Sequence, residues 1–521
     1  MLKKKYISFY IIISFSIYCA LIIGQSWDEV SYITLGKERL SYLFSLGINK
    51  VSQPFWNSHH YPGISYTINA FLLSLFSTKY ELESIHLINL LISISAVFGI
   101  SKVAKELFNK KVSLIIFTIF ILYPTFFGHM AINANDTVVA TCNVWITYLI
   151  LRYLKKQKDK NKNKYLFFIS FLVAAGTGVR LVFVASLIPQ IIFILFDILV
   201  FKKFLNNNFS KRILYQDLLK IIFTSYIIVI LFWAPTHTNI LILPINFFIE
   251  MISNTNVGWP TGLVNGEYFF SHDPPKSYLL LNLFFRTPEY ILFLYLLFIL
   301  FIFYYNKFFE KNFKDFNYKI LFILTILVFP NFLMVLKIFP IYDGLRLFLY
   351  VLPFFLLIPS LSLFVLIVKY KEFMIKVFTY ISLFLFIFFI IKFIIITPYH
   401  YLYLNSLSGN FENKEKNFEN DYWGISMKEL IKKSKFLNED YNKLAICGAN
   451  PKVVKFYLKK YNFSKVKIVR EDEKYDFIIM TNRTIYNPSE EVSKTQTCFQ
   501  KYKGKSVSSV KRGYLTISQI K

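Results

Sequence analysis

Charge is scarce in this chain. Of 521 residues only 17% are Asp, Glu, Lys or Arg, against 55% hydrophobic and 19% aromatic, whereas an ordinary soluble domain carries about 25% charge. That excludes a water-soluble globule and gives the composition of a polytopic membrane protein. Acidic residues are scarcer still: 31 face 59 Lys plus Arg, for a net +28. The basic excess lies between apolar stretches, as cytoplasmic loops do, so nucleic-acid binding is a poor account of it. Four cysteines are too few for a disulfide-rich scaffold or a cysteine-built zinc domain.

What is present is a series of long apolar runs. Lys3, Lys4 and Lys5 precede a run from Tyr6 to Ile23. It reads as a first membrane helix rather than a secretory signal, since many spans follow and no small-residue cleavage site is evident. Runs at 84–101, 112–127, 137–153, 165–179, 181–201, 219–235, 288–306, 319–338, 346–369 and 375–396 are long enough for about 30 Å of hydrocarbon. The expectation is an α-helical polytopic fold of about eleven transmembrane helices. A shorter run after Pro62, ending near Phe76, is interrupted by polar residues and is expected to lie at the interface. With it excluded, the basic connections around Lys102 to Lys111, Lys155 to Lys164, Lys202 to Arg212, Lys307 to Lys314 and Lys369 to Lys376 all share the N-terminal side. The positive-inside rule then puts the N-terminus in the cytoplasm and segments 25–83, 236–287 and everything after about 397 outside.

The chain is therefore expected to divide into a membrane module, 1–400, and a soluble extracytoplasmic α/β domain, 401–521. Within the latter, Lys443 to Cys447, Lys465 to Val469 and Tyr475 to Met480 have buried-strand patterns around a helical segment 451–460. Cys447 and Cys498 both fall there, where a disulfide or two unpaired thiols fit equally well. Cys19 and Cys142 fall in spans, as packing residues.

Polar residues gather at the external boundary. Gln25-Ser26-Trp27-Asp28-Glu29 follows the first span; Asp28 or Ser26 there could cap a helix with Glu29 in its first turn, or the acids could form a half-solvated base. The same face carries Trp56, His59, His60, Tyr61 and Pro62-Gly63, then His129, Asn133, Asn135 and Asp136, then Arg180 after Gly176-Thr177-Gly178. Further on come Asn265-Gly266-Glu267, His272-Asp273-Pro274-Pro275-Lys276 and Tyr342-Asp343-Gly344-Leu345-Arg346. Singly each has an ordinary reading, such as a helix cap at Asp136 or a snorkelling arginine. Together they describe a cavity of carboxylates, imidazoles and guanidinium groups, and ionisable residues at membrane depth are functional candidates.

This order of elements resembles the GT-C superfamily of membrane glycosyltransferases, above all the bacterial relatives of protein O-mannosyltransferases and of lipid A aminoarabinose transferase. The resemblance rests on the Asp28-Glu29 pair, His60-Tyr61-Pro62-Gly63, Gly128-His129 with Asn133-Ala134-Asn135-Asp136, and Gly176-Thr177-Gly178-Val179-Arg180. It continues through Asn265-Gly266-Glu267 to Arg286-Thr287-Pro288, Asp343 to Arg346, Pro398 to Asn405, and Asp421-Tyr422-Trp423-Gly424. The chain departs from the family at Tyr61, where His-Pro-Pro is usual, and at Ala134-Asn135, where Asn-Pro-Lys-Asp is common, so a phosphate-binding Lys is missing from that turn.

The resemblance implies a glycosyltransferase, hexosyl- or pentosyl-, moving a sugar from a polyprenyl-phosphate donor to a hydroxyl-bearing acceptor (protein, lipid or glycan) at the outer face of the plasma membrane. In that reading Asp28 is the base that takes the acceptor proton and Glu29 a secondary acid. Asp136 faces Asp28 across the cavity, holding the acceptor, the sugar or a divalent ion. Arg180, Arg346 and, more weakly, His60 meet the donor phosphate. His59, Asn133, Asp273, Lys276 and Asp343 are candidates for the acceptor or sugar. No cofactor is certain, a divalent metal ion is compatible with Asp136 and the histidines, and nucleic acid is not expected. A transporter or a non-catalytic envelope assembly protein is the reading from another class. Transporters place ionisable groups near the bilayer midplane within repeated halves, and this chain gathers them at one boundary.

Overall fold

Within the described residues, 2–52, 58–253, 258–336, 340–409, 411–486 and 492–521, each of the eleven apolar runs is mainly helical in the computed structural model. Trp56 lies outside the described residues. Helix α1 (Leu2–Ile22) leads into α2 (Glu29–Phe44) and the short α3 (Ile64–Leu73). At ten residues, α3 is about 15 Å long, too short to cross. It packs on α2 where Gly36, lacking a Cβ, lets the helix reach the Tyr66 carbonyl. Next come α4 (Glu81–Leu107), α5 (Lys110–Ile121), α6 (Pro124–His129), α7 (Asp136–Lys156) and α8 (Lys162–Val179). α4, α7 and α8 pack in sequence, α5 lies on α4, and α10 (Lys211–Phe232) lies on α8 after α9 (Ile188–Phe196).

By length and composition, seven helices among the described residues can cross a membrane, and shorter apolar helices lie at Phe9–Ile22, Ile64–Leu73, Ile242–Ser253 and Leu352–Val368. Prolines divide two of the apolar runs. The run 112–127 is divided at Pro124, whose missing N–H and fixed φ end one helix and start the next. The run 346–369 begins as a 3-10 turn, Arg346–Phe348, and continues as two pieces, α15 (Leu352–Phe355) and α16 (Leu357–Val368), following α13 (Glu289–Asn312) and α14 (Phe316–Val335). α17 (Phe373–Ile395) closes the bundle.

The segment between α10 and α13 holds elements the apolar pattern did not announce. α11 (Ile242–Ser253) presents Ile242, Ile245, Ile249 and Ile252 on an exposed face. A hairpin of β1 (Thr261–Val264) and β2 (Glu267–Phe270) turns through Asn265-Gly266, both at positive φ, the residues that a two-residue hairpin turn favours. α12 (Tyr278–Arg286) follows.

At the C-terminus β3 (Asn442–Cys447), β4 (Val466–Ile468) and β5 (Phe477–Thr481) are the expected strands. A small pair, β6 (Thr484–Ile485) and β7 (Gln496–Thr497), precedes β8 (Ser508–Arg512) and β9 (Leu515–Ile520). The five-stranded sheet has the order β4-β3-β5-β9-β8, parallel over its first three strands and antiparallel beyond. The helix Pro451–Lys460 makes the crossover between β3 and β4 that parallel strands require. Cys447 and Cys498 are joined in a disulfide, while Cys19 and Cys142 are buried thiols.

The two ends of the bundle differ in chemistry. At one, Lys155 and Arg152 meet Glu106 at 2.8 and 3.4 Å and Lys203 meets Asp315 at 2.8 Å, so several of the basic connections share that end. α7 ends there at Lys156 and begins at Asp136 on the other, where the candidate residues meet.

Candidate functional site

Asp28 occupies the N-cap position of α2, yet its backbone is helical and its side chain makes no capping hydrogen bond. The carboxylate turns instead to Arg346, whose Nη2 lies 3.1 Å from Oδ2. The Tyr32 hydroxyl approaches the same oxygen at 3.5 Å. Asp28 is 29% exposed, whereas Arg346 is only 4% exposed. The carboxylate thus stands half in water with a fixed orientation.

Asp136 is the inner partner. Its Oδ1 accepts from Arg180 Nε at 2.8 Å and Nη2 at 2.7 Å, and its Oδ2 accepts from Arg346 Nε at 3.0 Å. Asn133 relieves Asp136 of capping duty: its Oδ1 accepts from the Asn135 and Asp136 N–H groups, and its Nδ2 donates to Asp136 Oδ2 at 3.0 Å. Asn133 is 1% exposed, so it serves this turn rather than meeting an acceptor. The result is a chain, Asp28–Arg346–Asp136–Arg180, built from four distant parts of the sequence. A guanidinium fork suits two carboxylates at once.

Arg346 is aimed by Asp343-Gly344, both at positive φ, a conformation that Asp tolerates and Gly favours. Its guanidinium lies 4.0 Å from the Trp423 ring, close enough for cation–π attraction. Burial pushes the Asp343 carboxyl up to about 7, against the lowering influence of Arg346 and Arg286, and its Oδ2 is buried without a hydrogen-bond partner. Asp273 and Lys276 are exposed on the turn between β2 and α12.

Glu29 turns away from Asp28 and its arginine. It is 2% exposed, with Oε1 3.0 Å from His86 Nε2 and Oε2 accepting from the Ser26 N–H at 2.5 Å. His86 Nδ1 in turn lies 3.0 Å from the Ala20 carbonyl. The pair braces the turn that carries Asp28.

His59 and His60 also have a partner of their own. Both Nε2 atoms face Glu250 Oε2 of α11, at 3.4 and 3.3 Å. Burial, then the neighbouring His59, pushes the His60 imidazole below its ordinary range, which suits a neutral ligand better than a phosphate-binding cation. The three ligand atoms lie within 4.8 Å of one another, and His60 Nε2 is buried without an aligned hydrogen bond. This nitrogen-and-carboxylate donor set fits a zinc-like ion. Asp136, with a guanidinium on each oxygen, does not. The histidine loop is held by Arg39, 1% exposed, which donates to the Ser58 carbonyl at 3.3 Å and to the Pro62 carbonyl. The Gly63 N–H reaches the Gly178 carbonyl at 2.7 Å, tying that loop to the turn before Arg180.

The tyrosine that replaces a usual proline joins an aromatic wall: Tyr61 lies near Tyr32 and Tyr66, whose rings stack at 4.7 Å. The C-terminal part of the chain closes the site from above. Trp27 donates its N–H to the Trp423 carbonyl at 2.9 Å, Asn450 Nδ2 donates to the Trp27 carbonyl at 2.9 Å, and the Gln25 N–H donates to the Tyr457 hydroxyl at 2.6 Å. His86 and Glu250 carry no local sequence signal as site residues, and Trp423 has one only as part of Asp421-Tyr422-Trp423-Gly424.

Fold and site together define a bundle of apolar helices with a chain of alternating carboxylates and guanidinium groups at one end. The sequence model of the dolichyl-phosphate-mannose-protein mannosyltransferase family matches residues 59–233, the stretch that holds His59, His60, Asn133, Asp136 and Arg180. No curated protein sequence matches the chain. Among solved structures, ArnT from Cupriavidus metallidurans in the apo state is similar at 10% identity and a TM-score of 0.48, over 100% of this chain and 98% of that one. The Archaeoglobus fulgidus oligosaccharyltransferase in the apo form is similar at 11% identity and a TM-score of 0.48, over 91% of this chain and 69% of that one. ArnT from the same Cupriavidus species bound to undecaprenyl phosphate gives 10% identity and a TM-score of 0.46, over 98% and 97%.

Proposed function

We propose that this protein transfers a sugar from a polyprenyl-phosphate donor to a hydroxyl acceptor at the outer face of the plasma membrane, with inversion. The observation that carries the reading is the Asp28–Arg346–Asp136–Arg180 chain, in which the two ends, Asp28 and Arg180, are partly exposed and Arg346 and Asp136 are buried between them. Attack on the anomeric carbon requires the acceptor hydroxyl to lose its proton, and Asp28 is assigned to take it. Both named contacts to Asp28 fall on Oδ2, so Oδ1 is the oxygen assigned to the acceptor. The phosphate leaving group is a weak base and needs no strong acid. It does need positive charge as its bond to the sugar breaks, and the N–H groups of Arg180 and Arg346 not spent on carboxylates are assigned to it. A single direct displacement gives inversion.

Orientation is assigned from the charge of the connections. The lysine-rich end is assigned to the cytoplasm by the positive-inside rule, and the opposite end, with the C-terminal sheet treated as a domain of its own, to the exterior. The chain's ionisable core supports an enzyme over a transporter because Asp136 opens α7 and Arg180 caps α8, at helix ends rather than at the midplane. His59, His60 and Glu250 would hold a divalent ion, and such an ion would tie α11 to the histidine loop.

Mass spectrometry of envelope glycans and lipid-linked sugars, with and without the gene, tests the proposal. Loss of the gene should remove one sugar from an acceptor while its polyprenyl-phosphate donor accumulates. Unchanged glycans together with an unchanged donor pool would refute it.

A further inference from the structure

The transferase reading leaves one buried charge without work. Arg483 lies between β5 and β6 and is 2% exposed. Its guanidinium stands over three aromatic rings: Trp259 at 3.8 Å, Tyr422 at 4.0 Å and Trp27 at 4.2 Å from their centroids. Trp27 directly precedes Asp28, so Arg483 packs against the segment that carries the half-buried carboxylate. Its hydrogen bonding is poor. Nη1 donates to the Tyr422 carbonyl at 3.4 Å, and Nε is buried with no partner. Among the described residues no carboxylate oxygen lies within 4.0 Å of it. Ring faces attract a guanidinium, but they leave its N–H edge unsatisfied, and a buried charge is ordinarily paired.

The neighbouring charges do not supply the missing anion. Asp28 and Asp136 are taken by Arg180 and Arg346, and Glu29 faces His86. Asp343 and Glu419 are the acids nearby in charge, and Arg286 also acts on Asp343. Glu419 Oε1 accepts from the Thr484 N–H and hydroxyl, each at 2.9 Å. Both acids act on Arg483 through space, yet neither makes contact with its guanidinium.

Its position is also fixed. The Cys498 N–H donates to the Arg483 carbonyl at 3.0 Å, and Cys498 is bonded to Cys447. Gly448, at φ +71°, packs so tightly that a Cβ would lie 3.0 Å from Cys498 Sγ and 3.1 Å from Arg483 Cβ. The disulfide and this glycine hold the Arg483 backbone.

We propose that Arg483 is an anion-binding residue of the chamber, taking a phosphate oxygen of a substrate between the Trp27 and Trp259 rings. The phosphate belongs to the lipid carrier or to a soluble anionic acceptor. The inference deepens the transferase reading and rests on it only for the origin of the phosphate.

Direct binding to the full-length protein in zwitterionic nanodiscs tests it, with three probes: a labelled polyprenyl phosphate, the matching polyprenol, and inorganic phosphate. Wild type should bind polyprenyl phosphate at least tenfold tighter than polyprenol, or bind inorganic phosphate measurably. Arg483→Gln should abolish whichever preference is present, and Arg483→Lys, which keeps the charge, should retain part of it. Loss toward polyprenyl phosphate assigns the carrier, and loss toward inorganic phosphate alone assigns an acceptor. A folded Arg483→Gln protein that binds both phosphate probes like wild type overturns the inference and leaves the transferase reading standing. Where Arg483→Gln fails to fold, a folded Arg483→Lys protein without phosphate preference overturns it equally. A wild type indifferent to both phosphate probes does so too. Sugar transfer measured on the same preparation tests the transferase reading separately.

Discussion

Replacing Asp136 with Asn removes the one anion shared by Arg180 and Arg346 while keeping the shape of the side chain. Arg346 then retains only Asp28, at 3.1 Å, and Arg180 loses a two-point contact at 2.7 and 2.8 Å. Breaking a buried ion pair by removing one partner costs about 3–5 kcal/mol, because the remaining charge is stranded. Arg180 is 25% exposed and can be partly rehydrated, and Arg346 keeps a second carboxylate, so the lower end, about 3 kcal/mol, is expected. Equilibrium unfolding of purified protein in detergent measures it. Removing the stranded charge as well, in Asp136→Asn with Arg180→Gln, should recover part of the loss, because these residues couple strongly. A single variant as stable as wild type, or a double variant less stable than the sum of its parts, would refute the argument that Asp136 is a structural anion.

Four other outcomes follow from the same geometry. Asp343 is pushed up to about 7, so its neutral form favours the fold fully below about 4, and that contribution is lost as pH rises toward 7. Asp343→Asn should therefore raise the melting temperature at pH 8 and change it little at pH 4; an equal gain at both would contradict the assignment. Binding of a zinc-like ion, read by elemental mass spectrometry, should fall in Glu250→Gln and His60→Asn but persist in Asp136→Asn; loss in the last would return the ion to the centre. Replacing Cys447 and Cys498 by Ser opens a loop of sequence separation 51 and should destabilise the C-terminal sheet by about 4 kcal/mol in the loop-entropy estimate; denaturant unfolding that matches wild type would remove the disulfide from the account. Glu29→Gln should weaken the Ser26 turn and lower transfer while keeping donor affinity; a raised donor KM would make Glu29 a substrate contact.

Much of this was legible from residue order. Helix-length apolar runs and lysine-rich connections are local signals, and they located the helices and separated the two ends of the bundle. Asp28, Asp136, Arg180 and Arg346 were recognisable because acids and arginines at membrane boundaries are costly. Their wiring was not. Asp28 reads as a plausible helix cap, and only the fold reveals that Asn133 caps the neighbouring turn while both acids face arginines. Glu29 and His86 meet across the first external segment, and His60 meets a glutamate 190 positions away, separations that no spacing rule encodes. Arg483 sits in a stretch with no motif and matters through three rings supplied by distant segments. Proline placement was readable in principle: Pro124 divides a run that hydropathy alone had joined.

The central claim is that Asp28 removes the acceptor proton, and transfer by Asp28→Asn from a labelled polyprenyl-phosphate sugar tests it most directly. Side-chain general bases contribute roughly 10²- to 10⁴-fold, so the variant should lose transfer by at least about a hundredfold with its fold and donor binding preserved. Transfer close to wild type, from a correctly inserted protein, would contradict it.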